Sequence, residues 1–368
     1  MRTIFAGIFL AFTGFALASP PQYKMEKLWQ MDAGAGGRSR KVNDFTNSGY
    51  VIFNDAVPNV STGKFEYYAS AVKNINKVIF EFGTDPHAIY RSESGKYAVA
   101  KEDNRGGFLR DGLTGENYGP APYSTYQSIN VMGITERFTF GSSFFSLIDH
   151  GYNELAYMYD HVNRVRYDFV VNGNTDGDKR RTTAMNEAGQ AVVEYFPGPE
   201  PYNWPNVQKC ELWQNGVRKI IGEMGHCSIN ANGQVIGYKA SNSGAQEYVQ
   251  FWDGTTTHSY ITNYAVPSSL SDSGFAYCTS PTNNQELNGR LLDANTGIEF
   301  DLHDLTPNMP AGMITYHGLI RADGAIAAIG VENGKSYVLK FTPVPEPASI
   351  LALAAGLTLL LRRRRPVR

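Results

Sequence analysis

Residues 228–237 read SINANGQVIG, and this stretch decides the fold. An apolar residue, three small or polar residues, a glycine and an apolar run are typical of a tight turn that enters a β-strand, because glycine tolerates the positive φ of such turns. The same pattern recurs along the chain. The other clear copies are residues 45–53, 185–193, 270–277 and 320–327, and weaker copies occupy residues 91–95 and 147–151.

The spacing of the copies predicts a β-propeller. Their glycines are Gly49, Gly95, Gly151, Gly189, Gly233, Gly274 and Gly324, which lie 38–56 residues apart, close to the period of propeller blades. A second turn halfway through most units, such as residues 251–254, adds a hairpin and gives four strands per unit. In the unit around Gly233 we place strands at 234–239, 247–252 and 257–262, with a short strand entering the next unit. The sequence therefore predicts an all-β propeller of about seven four-stranded blades in residues 19–341, against the alternatives of a β-sandwich or β-solenoid.

A strand ahead of the first copy predicts how the ring closes. The last unit ends at Phe341 with too few residues for its outer strands. Residues 24–31, which include Leu28 and Trp29, form a strand candidate before the first unit. We expect this strand to complete the last blade, which removes the exposed edges of an open array.

The best copy resembles a known repeat family. Residues 228–237, followed by Phe251-Trp252-Asp253-Gly254, resemble the HAF-type extracellular repeats of bacterial secreted proteins. Residues 301–305 and 336–343 resemble the last repeat of such proteins. The resemblance implies an exported repeat protein and names no activity.

The N-terminus predicts a cleavable signal peptide in residues 1–18. Arg2 precedes an apolar run, and the small residues Ala16 and Ala18 suit a signal peptidase that cuts after Ala18. The apolar run is shorter than the roughly 20 residues of a spanning helix, which disfavours the alternative of an anchor.

The C-terminus, residues 342–368, combines three features. Pro345, Glu346 and Pro347 precede an apolar segment, residues 348–361, which predicts a single transmembrane helix. A cationic cluster, favoured on the cytoplasmic side, follows as Arg362, Arg363, Arg364 and Arg365. This arrangement resembles the PEP-CTERM sorting domain of Gram-negative bacteria. It implies an exosortase-type processing enzyme, a transient anchor in the inner membrane, and delivery to the cell surface or extracellular matrix.

Charge and cysteine content narrow the partners. A net charge of −2 argues against nucleic acid, which binds to basic surfaces. Three cysteines are too few for a disulfide scaffold. In an oxidising compartment Cys210 and Cys227 would form a disulfide worth about 3 kcal/mol; the alternative is that Cys210, Cys227 and Cys278 are all buried thiols.

One segment has the spacing of a calcium loop. Asn172, Asn174, Asp176 and Asp178 place oxygen ligands at alternate positions. Two of these ligands are amides, the twelfth position is Thr183, and cations follow directly. A solvated turn is therefore favoured over a Ca²⁺ site, and no cofactor is expected.

Aromatic residues in Pro-rich loops are candidates for glycan binding. They are Tyr118, Tyr123, Tyr126, Tyr202 and Trp204, and loops on a rigid scaffold commonly carry binding sites; the alternative is packing between blades. The seven histidines are scattered and no catalytic motif is found. We expect a non-enzymatic structural, adhesive or glycan-binding protein that contacts exopolysaccharide. The alternative is a propeller lyase or hydrolase acting on exopolysaccharide, which requires His, Arg, Tyr or carboxylates converging on the central channel.

Overall fold

The computed structural model describes most of the region predicted to form the propeller. The described residues are 20–31, 42–46, 49–58, 65–73, 76–80, 88–91, 97–102, 106–111, 117–120, 128–147, 151–169, 179–196, 209–239, 247–262, 266–279 and 289–345. In 54–69, 76–130, 144–153 and 247 the backbone alone is described. These ranges contain strands and turns and no helix, hence none that is long and apolar enough to cross a membrane. The segments predicted to form a signal peptide and a C-terminal helix lie outside the described residues.

The described strands form six sheets, five of four strands and one of eight. The eight-stranded sheet divides into two blades of four, because a single parallel pair, Glu154 opposite Lys179, joins its two halves. The described strands therefore make seven blades of four antiparallel strands. Blade 1 contains β2 (Val42–Phe45), β3 (Val51–Pro58), β4 (Phe65–Lys73) and β5 (Asn76–Phe80). Blade 2 contains β6 (Ala88–Arg91), β7 (Tyr97–Glu102), β8 (Gly106–Asp111) and β9 (Asn117–Pro120). Blade 3 contains β10 (Ser128–Ile134), β11 (Phe138–Leu147), β12 (Gly151–Asp160) and β13 (Val165–Asp168). Blade 4 contains β14 (Lys179–Met185), β15 (Ala191–Phe196), β16 (Lys209–Gln214) and β17 (Val217–Gly222).

The remaining blades have the same order of strands from the inside outward. Blade 5 contains β18 (Gly225–Ile229), β19 (Val235–Lys239), β20 (Glu247–Trp252) and β21 (Thr257–Thr262). Blade 6 contains β22 (Val266–Leu270), β23 (Phe275–Thr279), β24 (Arg290–Asp293) and β25 (Ile298–Asp301). Blade 7 contains β26 (Ile314–Ile320), β27 (Ile326–Glu332), β28 (Lys335–Val344) and β1 (Gln22–Gln30).

The ring closes through the N-terminal strand. β1 pairs antiparallel with β28, from Gln22 opposite Val344 to Gln30 opposite Tyr337. The innermost strands contact one another in the order β2, β6, β10, β14, β18, β22, β26 and back to β2. The predicted propeller and its predicted closing strand are therefore confirmed.

Hydrophobic side chains fill the spaces between blades. β27 is buried through five successive residues, Ile326 to Gly330, because a strand between two blades has no solvent face. Between blades 4 and 5, Val192 and Cys210 pack in one cluster with Val235 and Trp252. This packing makes the ring a rigid support for the side chains at its centre.

The repeated turn joins each blade to the next. Asn230 Oδ1 accepts a hydrogen bond from the backbone N–H of Gln234 at 3.0 Å, and Nδ2 donates to the carbonyl of Ser271 in blade 6 at 3.0 Å. Asn186 Nδ2 donates in the same way to the carbonyl of Asn230 at 3.0 Å. In blade 7, Arg321 donates to the carbonyl of Thr46 in blade 1 at 2.8 Å. The repeat therefore encodes an interblade hydrogen bond as well as a turn.

One predicted copy of the repeat is wrong, because it lies at a different turn of its blade from the other copies. Residues 147–151 connect β11 to β12, the second and third strands of blade 3. The first turn of that blade is instead residues 135–137, where the Thr135 hydroxyl accepts from the backbone N–H of Phe138 at 3.0 Å. A threonine hydroxyl replaces the usual cap, so the sequence pattern does not mark this turn.

Candidate functional site

Most of the binding residues predicted from the sequence belong to segments outside the described residues. Within a blade, alternate connections lie at opposite ends of the antiparallel strands. We call the end with the second-to-third-strand and blade-to-blade connections the loop face, and the end with the repeated turns the turn face. Tyr118 lies in β9. The other predicted aromatic and calcium positions lie outside the described residues, between strand ends of the loop face: Tyr123, Tyr126, Asn172, Asn174, Asp176, Asp178, Tyr202 and Trp204.

The predicted processing residues lie at the limits of the structure. Pro345 is the last described residue. Outside the described residues are Ala16, Ala18, Glu346, Pro347, Arg362, Arg363, Arg364 and Arg365.

The structure brings Cys210 and Cys227 together. They lie on β16 of blade 4 and β18 of blade 5, and both are buried thiols with their sulfurs 3.4 Å apart. Burial raises the pKa of the Cys227 thiol well above its ordinary value. Cys278 is a buried thiol in blade 6. The two cysteines that the sequence suggests as partners are therefore in contact, with no disulfide bond between them in the structure.

The innermost strands carry β-bulges around the channel. Six of the seven described pairs between a first and a second strand contain a register shift, and the β6–β7 pair does not. A bulge re-aims the side chain of the extra residue and is common beside active sites. The bulged residues are Asn43, Met132, Thr183, His226 with Cys227, Ser268 and His317.

Two histidines stand out among these bulged residues. Of the described side chains on the seven innermost strands, those of His226 and His317 are the exposed ones. Their φ values are +52° and +41°, a left-handed conformation that costs energy for a residue with a Cβ. The other described non-glycine residues with positive φ are in or beside hairpin turns: Arg164, Asn215 and Asn333. Since no hairpin turn requires positive φ at these two positions, the histidines are candidates for a functional role.

A buried carboxylate holds the His226 bulge. Glu194, on β15 of blade 4, is 3% exposed. Its Oε1 accepts the backbone N–H of Cys227 at 3.2 Å, and the backbone N–H of His226 also donates to this carboxylate. The Glu194 side chain therefore fixes both bulged residues of β18 from the neighbouring blade.

Arg181 completes this cluster. Its Nε lies 3.5 Å from Oε2 of Glu194, and its guanidinium lies over the ring of Phe196. Burial raises the pKa of Glu194, and the charges of Arg181 and His226 and the two N–H groups oppose that shift without cancelling it. The Arg181 side chain remains 23% exposed. We call Arg181, Glu194 and His226 the channel cluster.

The preceding arginine has a structural setting. Arg180 points to the opposite side of β14, where its side chain is 2% exposed and lies 3.8 Å from Glu211. Glu211 also pairs with Arg218 at 3.4 Å and accepts from Trp213 Nε1 at 3.0 Å. Of these two adjacent cations, Arg181 is therefore the one available to a ligand.

Sequence reasoning missed the channel cluster, although one signal was present. His226 is four residues before Asn230, and His317 is four residues before Arg321. Asn230 and Arg321 begin equivalent turns, in which each residue donates its N–H to the carbonyl four residues later. Aligning the repeats would have placed the two histidines at equivalent positions. Nothing in the sequence marks Glu194 as their neighbour.

Within the described residues, no group of three or more His, Cys, Asp or Glu side chains is arranged to hold a metal ion. The channel cluster contains one carboxylate and one imidazole beside a cation, a set suited to proton transfer and anion binding.

No family model matches the chain, and no curated protein matches it. Solved structures do. The acylaminoacyl peptidase of Pyrococcus horikoshii is 12% identical with a TM-score of 0.54; the match covers 86% of this chain and 54% of the peptidase, so the chain spans about half of that enzyme. The β-propeller domain of the trilobed protease from Pyrococcus furiosus is 11% identical with a TM-score of 0.55, covering 85% of this chain and 97% of that domain. An oligogalacturonate lyase in complex with manganese is 11% identical with a TM-score of 0.56, covering 89% and 99%.

These neighbours correct two predictions made from the sequence. The expectation of a non-enzymatic structural, adhesive or glycan-binding protein is wrong, because the solved structures named above are two enzymes and the propeller domain of a protease. The prediction that the chain is not an enzyme is wrong on the same finding. The sequence was searched for local catalytic motifs, and such a search does not detect a cluster of side chains that is assembled from three strands. At 10–12% identity the likeness establishes the fold, and the activity is a matter for proposal.

Proposed function

We propose that this chain is a propeller enzyme that cleaves uronate-containing polysaccharide by β-elimination, with the channel cluster as its active site. The observation that carries the proposal is the exposed, bulged His226, whose backbone is held by a buried Glu194 that pairs with Arg181. A strained backbone that the surrounding residues enforce is typical of catalytic positions.

The residue types fit the steps of an elimination. A base removes the proton from the carbon next to the uronate carboxylate, a carbon–carbon double bond forms, and the glycosidic carbon–oxygen bond breaks as its oxygen takes up a proton. An imidazole exchanges protons near neutral pH, so His226 is the proposed base. Negative charge moves onto the substrate carboxylate during proton removal, and the Arg181 guanidinium is the proposed group that stabilises it.

Glu194 is proposed as a positioning residue. It is buried behind the bulge and reaches the backbone of His226 and Cys227 rather than solvent. Its carboxylate orients the imidazole through the main chain and orients Arg181 through the ion pair. Preorganised groups of this kind lower the barrier because they do not have to reorient during the reaction.

The comparisons favour a lyase over a peptidase. The match covers 99% of the oligogalacturonate lyase but 54% of the acylaminoacyl peptidase. The matched propeller therefore makes up nearly the whole of the lyase chain and about half of the peptidase chain. That lyase was solved with manganese. Since the described residues do not form a metal site, no step is assigned to a metal here.

The proposal is tested by turnover of oligogalacturonide and of other uronate-containing polysaccharides. An elimination yields an unsaturated uronate that absorbs in the ultraviolet, and the number of reducing ends rises in parallel. Arg181→Lys and His226→Ala should each abolish the ultraviolet signal. The matched control is His258→Ala, because His258 is an exposed histidine that pairs with Asp253 in the hairpin connection between β20 and β21 on the turn face.

Three outcomes separate the hypotheses. Both signals rising in the wild type and in the control supports a lyase. Reducing ends without unsaturation indicate a hydrolase and reject the elimination. Absence of both signals on every uronate substrate rejects the proposed function.

We also propose that the chain is exported through a PEP-CTERM route. The proposal is supported by the sequence at the two ends of the chain. Signal peptidase would cleave after Ala18, and an exosortase-type enzyme would cleave near residues 345–347. The mature protein would then reach the cell surface or extracellular matrix of a Gram-negative bacterium, where it meets exopolysaccharide. N-terminal sequencing of the exported protein should begin at Ser19; an N-terminus at Met1 contradicts the export signal.

A further inference from the structure

The second exposed bulge lies two blades away from the channel cluster. We infer that His317 is a second ligand-contacting residue, and that the substrate is an oligomer lying across the channel from blade 5 to blade 7. The inference rests on the proposed function, which assigns His226 to catalysis. It adds a subsite in the blade that β1 closes.

His317 and His226 lie at the same level of the channel. Each is four residues before the first residue of its blade's repeated turn, and each turn has the same pattern of backbone hydrogen bonds. Their innermost strands, β26 and β18, both contact β22, which lies between them. A ligand that touches both histidines therefore has to extend past β22, which favours a chain of sugars over a single sugar.

A separate set of neighbours enforces the His317 bulge. The next residue, Gly318, has no room for a side chain: a Cβ there would lie 2.7 Å from the carbonyl oxygen of Ala327 and 2.7 Å from the ring of Tyr277. The Ser268 hydroxyl, on the bulge of blade 6, donates to the carbonyl of Gly318 at 2.6 Å. At His226 the same result is reached through Glu194 of blade 4.

Two unrelated sets of contacts thus produce one outcome. In each blade a histidine is held in a left-handed conformation and exposed on the innermost strand. A structural requirement of the turn would not need a histidine, since the equivalent bulges carry Asn43, Met132, Thr183 and Ser268. An exposed imidazole on an innermost strand is the property that the two sites share.

The surroundings of His317 suit a sugar ring. Its imidazole lies edge-on to the Tyr316 ring, with centroids 5.8 Å apart and planes at 78°. Tyr316 itself packs against the hydrophobic cluster between blades 7 and 1, so the exposed imidazole is the group that faces a ligand, and an imidazole exchanges hydrogen bonds with sugar hydroxyl groups. His317 therefore provides recognition, whereas the channel cluster provides charge.

The test compares oligogalacturonides of increasing length. His317→Ala should raise KM roughly tenfold for the longer oligomers, the equivalent of about one good hydrogen bond, with kcat unchanged and the dimer unaffected. His226→Ala should abolish turnover at every length, and His258→Ala should change neither parameter. His317→Gly serves as a second variant, because glycine adopts positive φ without strain and should keep the fold intact.

The outcomes distinguish this inference from the proposed function. An equal effect of His317→Ala on the dimer and on long oligomers, or none on either, overturns the subsite. If the wild type binds a long oligogalacturonide by calorimetry without cleaving it, the proposed function fails while weaker binding by His317→Gly still supports the subsite. If the wild type neither cleaves nor binds the oligomer, the inference is overturned as well.

Discussion

Replacing Asn230 by alanine tests the interblade hydrogen bond that the repeat encodes. Asn230 is 4% exposed. Its side chain donates to the carbonyl of Ser271 at 3.0 Å and to Gln234 Oε1 at 2.8 Å, and it accepts from the backbone N–H groups of Asn232 and Gln234 at 3.1 and 3.0 Å. Asn230→Ala removes all four hydrogen bonds and leaves the backbone groups in place.

The magnitude follows from which groups stay buried. Ser271 is fully buried, so its carbonyl loses a partner at a cost of about 1–3 kcal/mol. The two turn N–H groups are closer to solvent and regain part of their hydrogen bonding from water. We expect Asn230→Ala to lower the free energy of unfolding by about 2–4 kcal/mol in total, and the melting temperature by roughly 3–6 °C for a domain of this size.

The assay is urea unfolding followed by tryptophan fluorescence, since Trp252 is buried in the core between blades 4 and 5. The matched control is Asn232→Ala in the same turn, because Asn232 is exposed and its side chain donates to the carbonyl of Asp272 at 3.0 Å. The control should lose less than about 1 kcal/mol. Both variants lose a hydrogen bond to blade 6, but the one that Asn230 makes is buried and the one that Asn232 makes is exposed. Equal losses in the two variants would refute the claim that the buried Asn230 side chain is the main stabilising contact of this turn.

Two further predictions concern the buried Glu194 carboxylate and the contact between Cys210 and Cys227. Because burial raises the pKa of Glu194, the folded state loses stability as pH rises from the ordinary glutamate range through that raised pKa. Glu194→Gln should therefore unfold at a higher urea concentration than the wild type at neutral pH, unfold at the same concentration below about pH 4, and lose turnover. An unfolding midpoint that depends on pH in the same way in both proteins would contradict this. Since the Cys210 and Cys227 sulfurs are 3.4 Å apart, incubation with a disulfide oxidant should form one disulfide between them by thiol exchange. The oxidised protein, once denatured, should then contain one titratable thiol, that of Cys278, and a count of three thiols would contradict the pairing.

The fold was predictable because its signal is local. The turn in residues 228–237 depends on the hydrogen bond between Asn230 and the backbone N–H of Gln234 and on the φ of +77° at Gly233. Both features involve residues that are close together in the sequence. Strands predicted at 247–252 and 257–262 match Glu247–Trp252 and Thr257–Thr262, and the closing strand predicted at 24–31 is Gln22–Gln30. The turn of blade 3 was missed because Thr135 caps it without a glycine.

The channel cluster was not predictable in the same way. Arg181, Glu194 and His226 belong to three strands in two blades, and they meet because β14 contacts β18 across a blade junction. The bulge that exposes His226 depends on Glu194, which is 32 residues earlier in the sequence. A repeat pattern records what each blade shares, whereas an active site is built from positions at which the blades differ.

The most direct test of the account is the ultraviolet absorbance of the product formed from oligogalacturonide and other uronate polysaccharides, compared for the wild type, His226→Ala and His258→Ala. We predict that unsaturated product accumulates with the wild type and with His258→Ala, and is absent with a folded His226→Ala. Equal product formation by His226→Ala, or none by the wild type on any uronate substrate, would contradict the assignment of the channel cluster as a lyase active site.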